Sequence, residues 1–151
     1  MKFALKSALV VLAVAIVAGI AHAQFSKPED AIRYRQSVMV LIVHHFKQMG
    51  AVVQGKANYD KASFEDHTKL VHTLSTMPWE AFMTPDSDTG KTDLEPSALK
   101  NKDEFMRAAK DFENATKNLD LAAASGNLGS IKTEFGTTAQ SCKACHSRFR
   151  K

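Results

Sequence analysis

The last eleven residues, SCKACHSRFRK at 141–151, hold both cysteines of the chain, Cys142 and Cys145, with His146 directly after the second. Two thiols three positions apart with an imidazole on the next residue form the C-x-x-C-H pattern of c-type haem attachment. The reason is reach. Thiols three apart on a helix share one face, so each can form a thioether with one of a porphyrin's two vinyl groups. The imidazole, one helical step on, can then turn onto the iron. One haem c is therefore expected, anchored through Cys142 and Cys145, with His146 as the proximal iron ligand. Two other chemistries use such residues. A redox dithiol wants a strand-to-helix context, whereas these cysteines fall within a helical pattern. A structural zinc site needs four ligands, and with no second cysteine pair it would have to recruit His44, His45, His67 or His72. A disulfide between Cys142 and Cys145 would close a very small loop and stabilise little.

A helix must carry these three side chains, and the spacing predicts one from about Ser130, with Ile131, Phe135, Thr138/Ala139, Cys142, Cys145/His146 and Phe149 on a single stripe. Three more helical patterns precede it. The first opens at Pro28, with Glu29 and Asp30 at the positive end of the helix dipole, and runs to about Met49-Gly50. Its stripe is Ile32, Arg35/Gln36, Met39, Ile42/Val43, Phe46 and Met49. The second starts near Asp60, carries Phe64, His67, Leu70/Val71 and Leu74, and stops before Pro78. The stretch MTPDSDTGKTDLEPS, 83–97, is expected as a loop from its Pro, Gly, Ser and Asp content. Asn101 with Glu104 suggests a capping box for a third helix through Phe105, Ala108/Ala109, Phe112, Ala115, Leu119 and Ala122/Ala123, ending at Ser125-Gly126. No strand alternation or internal repeat appears. The expected fold class is all-α: an antiparallel four-helix bundle with covalently bound haem, the cofactor held between helices.

At the other end, MKFALKSALVVLAVAIVAGIAHAQ places Lys2 and Lys6 before an apolar run and closes it with Ala21-His22-Ala23. Residues 1–23 read as a secretory signal peptide cleaved after Ala23, leaving one domain, 24–151, in the periplasm with no membrane segment. Export suits haem c, which is attached outside the cytoplasm. The net charge of +4 includes Lys2 and Lys6, so about +2 remains on 24–151. Basic residues mostly alternate with acidic ones, without a basic block interleaved with aromatics, which argues against nucleic acid as a partner.

Together these features resemble the cytochromes c', the class II c-type cytochromes with a haem motif near the C-terminus of a four-helix bundle. The resemblance spans essentially all of 24–151. It rests on QFSKPEDAIRYRQS at 24–37, QGKANYD at 54–60, TLSTMPWEAF at 73–82 and the terminal SCKACHSRFRK. It implies that Arg35 and Gln36 lie beside the haem, with Arg35 neutralising a propionate. It further implies that Asp93 sits at the haem edge and Arg150 near the proximal side. It also implies a homodimer through the first two helices, for which Val38, Leu41 and His45 are the candidate contact; packing within the bundle is the alternative for these three.

The sixth iron position stays open at this level. Met39, one turn beyond Arg35/Gln36, should stand over the distal face as either an apolar wall or a thioether ligand. The resemblance favours five-coordinate, high-spin iron that binds NO or CO. The alternative is a six-coordinate, low-spin electron carrier ligated by Met39 and serving exported redox partners. His44 and His45 are further candidate ligands, equally readable as surface or dimer residues. Trp79 and Phe82 are expected at the haem edge or simply in the core. The distal stripe of Met39, Ile42/Val43 and Phe46 lacks an acid/base pair, so no enzyme is expected.

Overall fold

A computed structural model of the chain describes residues 25–151. The expected signal peptide lies outside the described residues. Four long helices make the bundle: α1 (Pro28–Val53), α2 (Lys61–Ser75), α5 (Lys102–Ser125) and α6 (Leu128–Phe149). Two single-turn helices, α3 (Trp79–Phe82) and α4 (Ser97–Lys100), punctuate the long crossover from α2 to α5. Among the described residues no helix is long and apolar enough to cross a membrane.

Helix ends follow local chemistry in most places. Asp60 caps α2 by accepting from Ser63 N at 2.8 Å, and Asn127 caps α6 by accepting from Ser130 N at 3.0 Å. Pro28 occupies the first turn of α1, where its missing N–H leaves no bond unmade. Gly126 closes α5 at φ 69°, in the left-handed conformation that a Cβ disfavours. Gly126→Ala is expected to lose about 1 kcal/mol of stability, read as a lower urea midpoint at unchanged slope.

The capping box at Asn101 does not form. Asn101 is at once the C-cap of α4 and the N-cap of α5, its N–H donates to Ser97 O, and its side chain makes no cap bond. Glu104 instead forms an ion pair with Arg148 on α6. The abutting short helix occupies the geometry that a capping box requires.

The core runs along α2 and α5, where Phe64, Val71, Phe105, Ala109, Phe112, Leu119 and Ala123 are buried with Ile131 of α6. Polar residues stitch this contact from inside. Thr68 Oγ1 donates to Asp120 Oδ1 at 2.7 Å, and the hydroxyls of Ser75 and Thr116 are 2.9 Å apart. In sequence these positions read as polar gaps in the apolar stripe. Paired across the interface, they bury without the penalty of an unmet hydrogen bond.

α6 packs closely on α5 and α1 on α2, yet α1 and α6 approach each other only at one end. There Phe46 and Phe135 stack with centroids 4.2 Å apart and planes within 6°. A Cβ added to Gly50 would lie 3.3 Å from the Phe135 ring. Having no side chain at residue 50 lets the helices close at that end. From there they diverge toward Arg35 on α1 and His146 on α6, and the bundle opens into a wedge.

Candidate functional site

The wedge is a cavity of about 940 Å³. Small-molecule sites run from roughly 300 to 1,000 Å³, so this one suits a large flat ligand rather than an ion. One wall is α6, contributing Ala139, Cys142, Cys145, His146 and Phe149. The facing wall is α1, contributing Arg35, Gln36, Met39, Val40, Ile42, Val43, His44, Phe46 and Lys47. Trp79, Phe82, Phe105 and Phe112 form the floor, and Thr92, Asp93, Leu94 and Arg150 the rim. All eight residues singled out from the sequence line this one cavity: Cys142, Cys145, His146, Arg35, Gln36, Met39, Asp93 and Arg150.

On the α6 wall both cysteines are free thiols, half-buried against the core edge. Burial raises the pKa of both, that of Cys145 to about 11 with the charge of Cys142 as the second cause. The thiols are therefore protonated at neutral pH. His146 is pushed the other way, below the ordinary histidine value, first by partial burial and then by Arg150. A neutral imidazole is the form that can ligate iron.

Arg35 edges the cavity with its guanidinium turned toward the chain. It is 2 % exposed, and its terminal nitrogens are taken up by the chain itself. Nη1 donates to Ala81 O (3.2 Å) and Ser87 Oγ (2.9 Å), and Nη2 donates to Ser87 O (2.5 Å) and Thr92 Oγ1 (2.8 Å). Its carbon end lies 4.6 Å over the Phe82 ring. Burial lowers its pKa to about 10, partly offset by Asp88, so it remains a cation. It edges the cavity, but its fork holds the crossover. Gln36, exposed, donates to Lys91 O at 3.0 Å and ties the same segment from outside.

An unmet donor lies on the cavity floor. Trp79 is buried, and its Nε1–H has no hydrogen-bond partner among the described residues. Its ring stacks on Phe82 at 5.9 Å and meets Phe105 and Phe112 edge-on. An orphaned buried N–H on a cavity wall fits a ligand that brings its own acceptor, as a porphyrin carboxylate does. Sequence reasoning placed Trp79 at the haem edge or in the core; the structure places it in the core, on the cavity floor.

At the rim, Arg150 Nη2 donates to Asp93 Oδ2 at 3.0 Å with both side chains exposed. The backbone repeats the tie: Glu95 N donates to Phe149 O (2.9 Å) and Lys151 N to Asp93 O (2.8 Å). The long loop before α5 is thereby strapped to the last turn of α6. That strap brings Asp93 to the haem motif.

The comparisons agree with this geometry. The model of the family described as Cytochrome C' matches residues 30–150. The chain belongs to the cytochrome c' family. It is 39% identical over 128 residues to the cytochrome c' of Alcaligenes xylosoxydans xylosoxydans, covering 85% of this chain and 98% of the relative. The crystal structure of cytochrome c' from Rubrivivax gelatinosus matches with a TM-score of 0.81 at 40% identity, covering 85% of this chain and all of that one. A nitric oxide complex of a mutant cytochrome c prime from Alcaligenes xylosoxidans matches with a TM-score of 0.80 at 38% identity, over 85% and 98% of the two chains. The fold is thus the all-α antiparallel four-helix bundle of a c-type haem protein family.

For one of the three candidate dimer residues the alternative, packing within the bundle, holds. Val38, a candidate dimer contact, is 4 % exposed and packs inside this chain's own core. Leu41 remains exposed, and His45 faces His67 on α2. On α1 the inward stripe includes Val38 with Ile42 and Met49, while Val43 is 47 % exposed at the cavity mouth.

Proposed function

We propose that this cytochrome c' binds one haem c through Cys142 and Cys145, with His146 as the proximal iron ligand. Its iron is five-coordinate and high-spin, and open to NO or CO. When bound, the haem supplies an iron centre that can exchange one electron or accept a neutral diatomic. The single observation that carries this reading is the opposition of the two walls. Two thiols and a neutral imidazole stand on α6, and across the wedge the α1 wall between Gln36 and His44 is apolar, lined by Met39, Val40, Ile42 and Val43.

Each residue has a part in this. Cys142 and Cys145 fix the group covalently, so that it stays even though the cavity is open. His146 holds the iron from one side. Met39, Ile42 and Val43 give the other side an apolar lining, which favours ligands that need no donor. Trp79 Nε1–H would be available to a haem carboxylate, and the Arg150–Asp93 pair lies at the rim. The protein works as an exported, periplasmic carrier or binder, cleaved after Ala23, and not as an enzyme. It also passes electrons to exported redox partners and forms a homodimer through α1 and α2. The nitric oxide complex known for the Alcaligenes relative supports this reading by kinship.

Met39 gives the second reading its footing: it is half-buried and lines the cavity, so its sulfur is available to the iron. The visible spectrum of the dithionite-reduced protein, before and after CO, separates the two. A broad ferrous band that changes sharply with CO is expected, and Met39→Leu should leave it as it was. Sharp, split α and β bands indifferent to CO, lost in Met39→Leu, would replace the proposal with a Met39-ligated electron carrier.

A further inference from the structure

Away from the wedge, α1 and α2 meet through a pair of imidazoles that the proposed haem chemistry does not use. His45 Nδ1 and His67 Nδ1 stand 3.0 Å apart, with ring centroids 5.2 Å apart and planes inclined by 43°. Both rings are half-buried, and neither lines the cavity. In the metal-free pair one ring donates and the other accepts. We propose that His45 and His67 form a bidentate site for a divalent transition-metal ion, Cu(II) foremost, held between their Nδ1 atoms.

The spacing selects the class of ion. Imidazole nitrogens each about 2.0–2.1 Å from an ion stand about 2.9 Å apart at a right angle and about 3.4 Å apart at a tetrahedral one. The observed 3.0 Å lies near the right angle, which suits tetragonal Cu(II) or Ni(II). Zn(II), preferring the tetrahedron, needs the rings to spread. Cu(II) also heads the affinity order for nitrogen ligands among first-row divalent ions.

Preorganisation comes from the helices. His45 lies between Ile42 and Met49 on α1, and His67 between Phe64 and Val71 on α2, all four buried. The backbones are thus fixed by the core, and ring rotation is the adjustment that binding requires. The ring that donates in the metal-free pair carries its proton on Nε2 instead, so that both Nδ1 lone pairs face the ion. His44 does not complete the site: its ring lies edge-on to His45, 86° between planes. Among the described residues no three His, Cys, Asp or Glu side chains converge on one point. Water fills the remaining positions, and the site is open.

The test is titration of the haem-loaded full-length mature protein with copper sulfate, followed by EPR. One Cu(II) per chain is expected, with an axial signal split by two imidazole nitrogens and distinct from the haem iron. Loss of even an outer-shell partner of a metal ligand weakens binding about 10- to 100-fold, so His45→Gln and His67→Gln should each weaken it roughly tenfold or more. His72→Gln, on the same helix but 3.5 Å from Thr116 Oγ1, should leave it unchanged. An unaltered protein that binds no Cu(II), a signal that survives in the His45→Gln/His67→Gln double variant, or equal loss in His72→Gln overturns the proposal. Should a variant not fold, the nitrogen splitting of the unaltered protein decides: two couplings support the site, and one or none overturns it.

Discussion

Replacing Cys142 and Cys145 together by alanine is expected to leave the exported protein with no covalently bound haem. The thioethers draw on these two sulfurs alone, since the chain has no other cysteine. A denaturing gel stained for haem should show a band for the unaltered protein and none for the double variant. Each single variant keeps one thioether and should still stain. In the folded chain burial holds both thiols protonated, the form less prone to oxidise to a disulfide. A haem band that persists in the double variant would remove the attachment from these residues. Persistence in solution alone would not, because His146 and the cavity walls can retain haem without a covalent bond.

Arg35→Met should destabilise the fold by roughly 3 kcal/mol. Methionine keeps most of the side-chain volume and relieves the desolvation of a buried charge, which limits the loss. It also strips donors from Ala81 O, Ser87 O, Ser87 Oγ and Thr92 Oγ1, in a pocket where Ser87 is fully buried. A buried acceptor left unmet costs about 1–3 kcal/mol, and the two hydroxyls can turn to partial substitutes while the two carbonyls cannot. Urea unfolding measures the loss, and limited proteolysis should show faster cleavage within residues 83–97, the segment the fork holds. Arg35→Lys should restore less than half, because one ammonium cannot span acceptors that a planar fork meets together. A loss below about 1 kcal/mol in Arg35→Met would mean that the fork does not hold the crossover.

Most of the local structure was legible in the residues. The stripe Phe105, Ala109, Phe112, Ala115, Leu119 and Ala122/Ala123 predicted α5 and its buried face, and Gly126 its end, because both follow from the 3.6-residue period and from the one residue that accepts positive φ without strain. The start of α6 moved by two residues, from Ser130 to Leu128, since Asn127 supplies the cap. Thr68, Ser75 and Thr116 were missed as core residues. Their partners lie on another helix, and a lone polar residue in a sequence does not announce its partner.

By itself, the sequence determined the helical class, the order of the four long helices, and the shared helix face of Cys142, Cys145 and His146 on which the haem proposal rests, because each depends on residues within one or two turns of one another. The tertiary structure alone decided where α1 and α6 part to make room, through the Phe46–Phe135 stack beside Gly50. It alone showed the Arg35 fork clamping a crossover 46 to 57 residues away, and put Val38 inside the bundle. It also brought His45 to His67, 22 residues on. The physical reason is common to all of these. Period and spacing fix which side chains share a face of one helix, whereas the partner each face meets depends on how several helices divide the same buried volume.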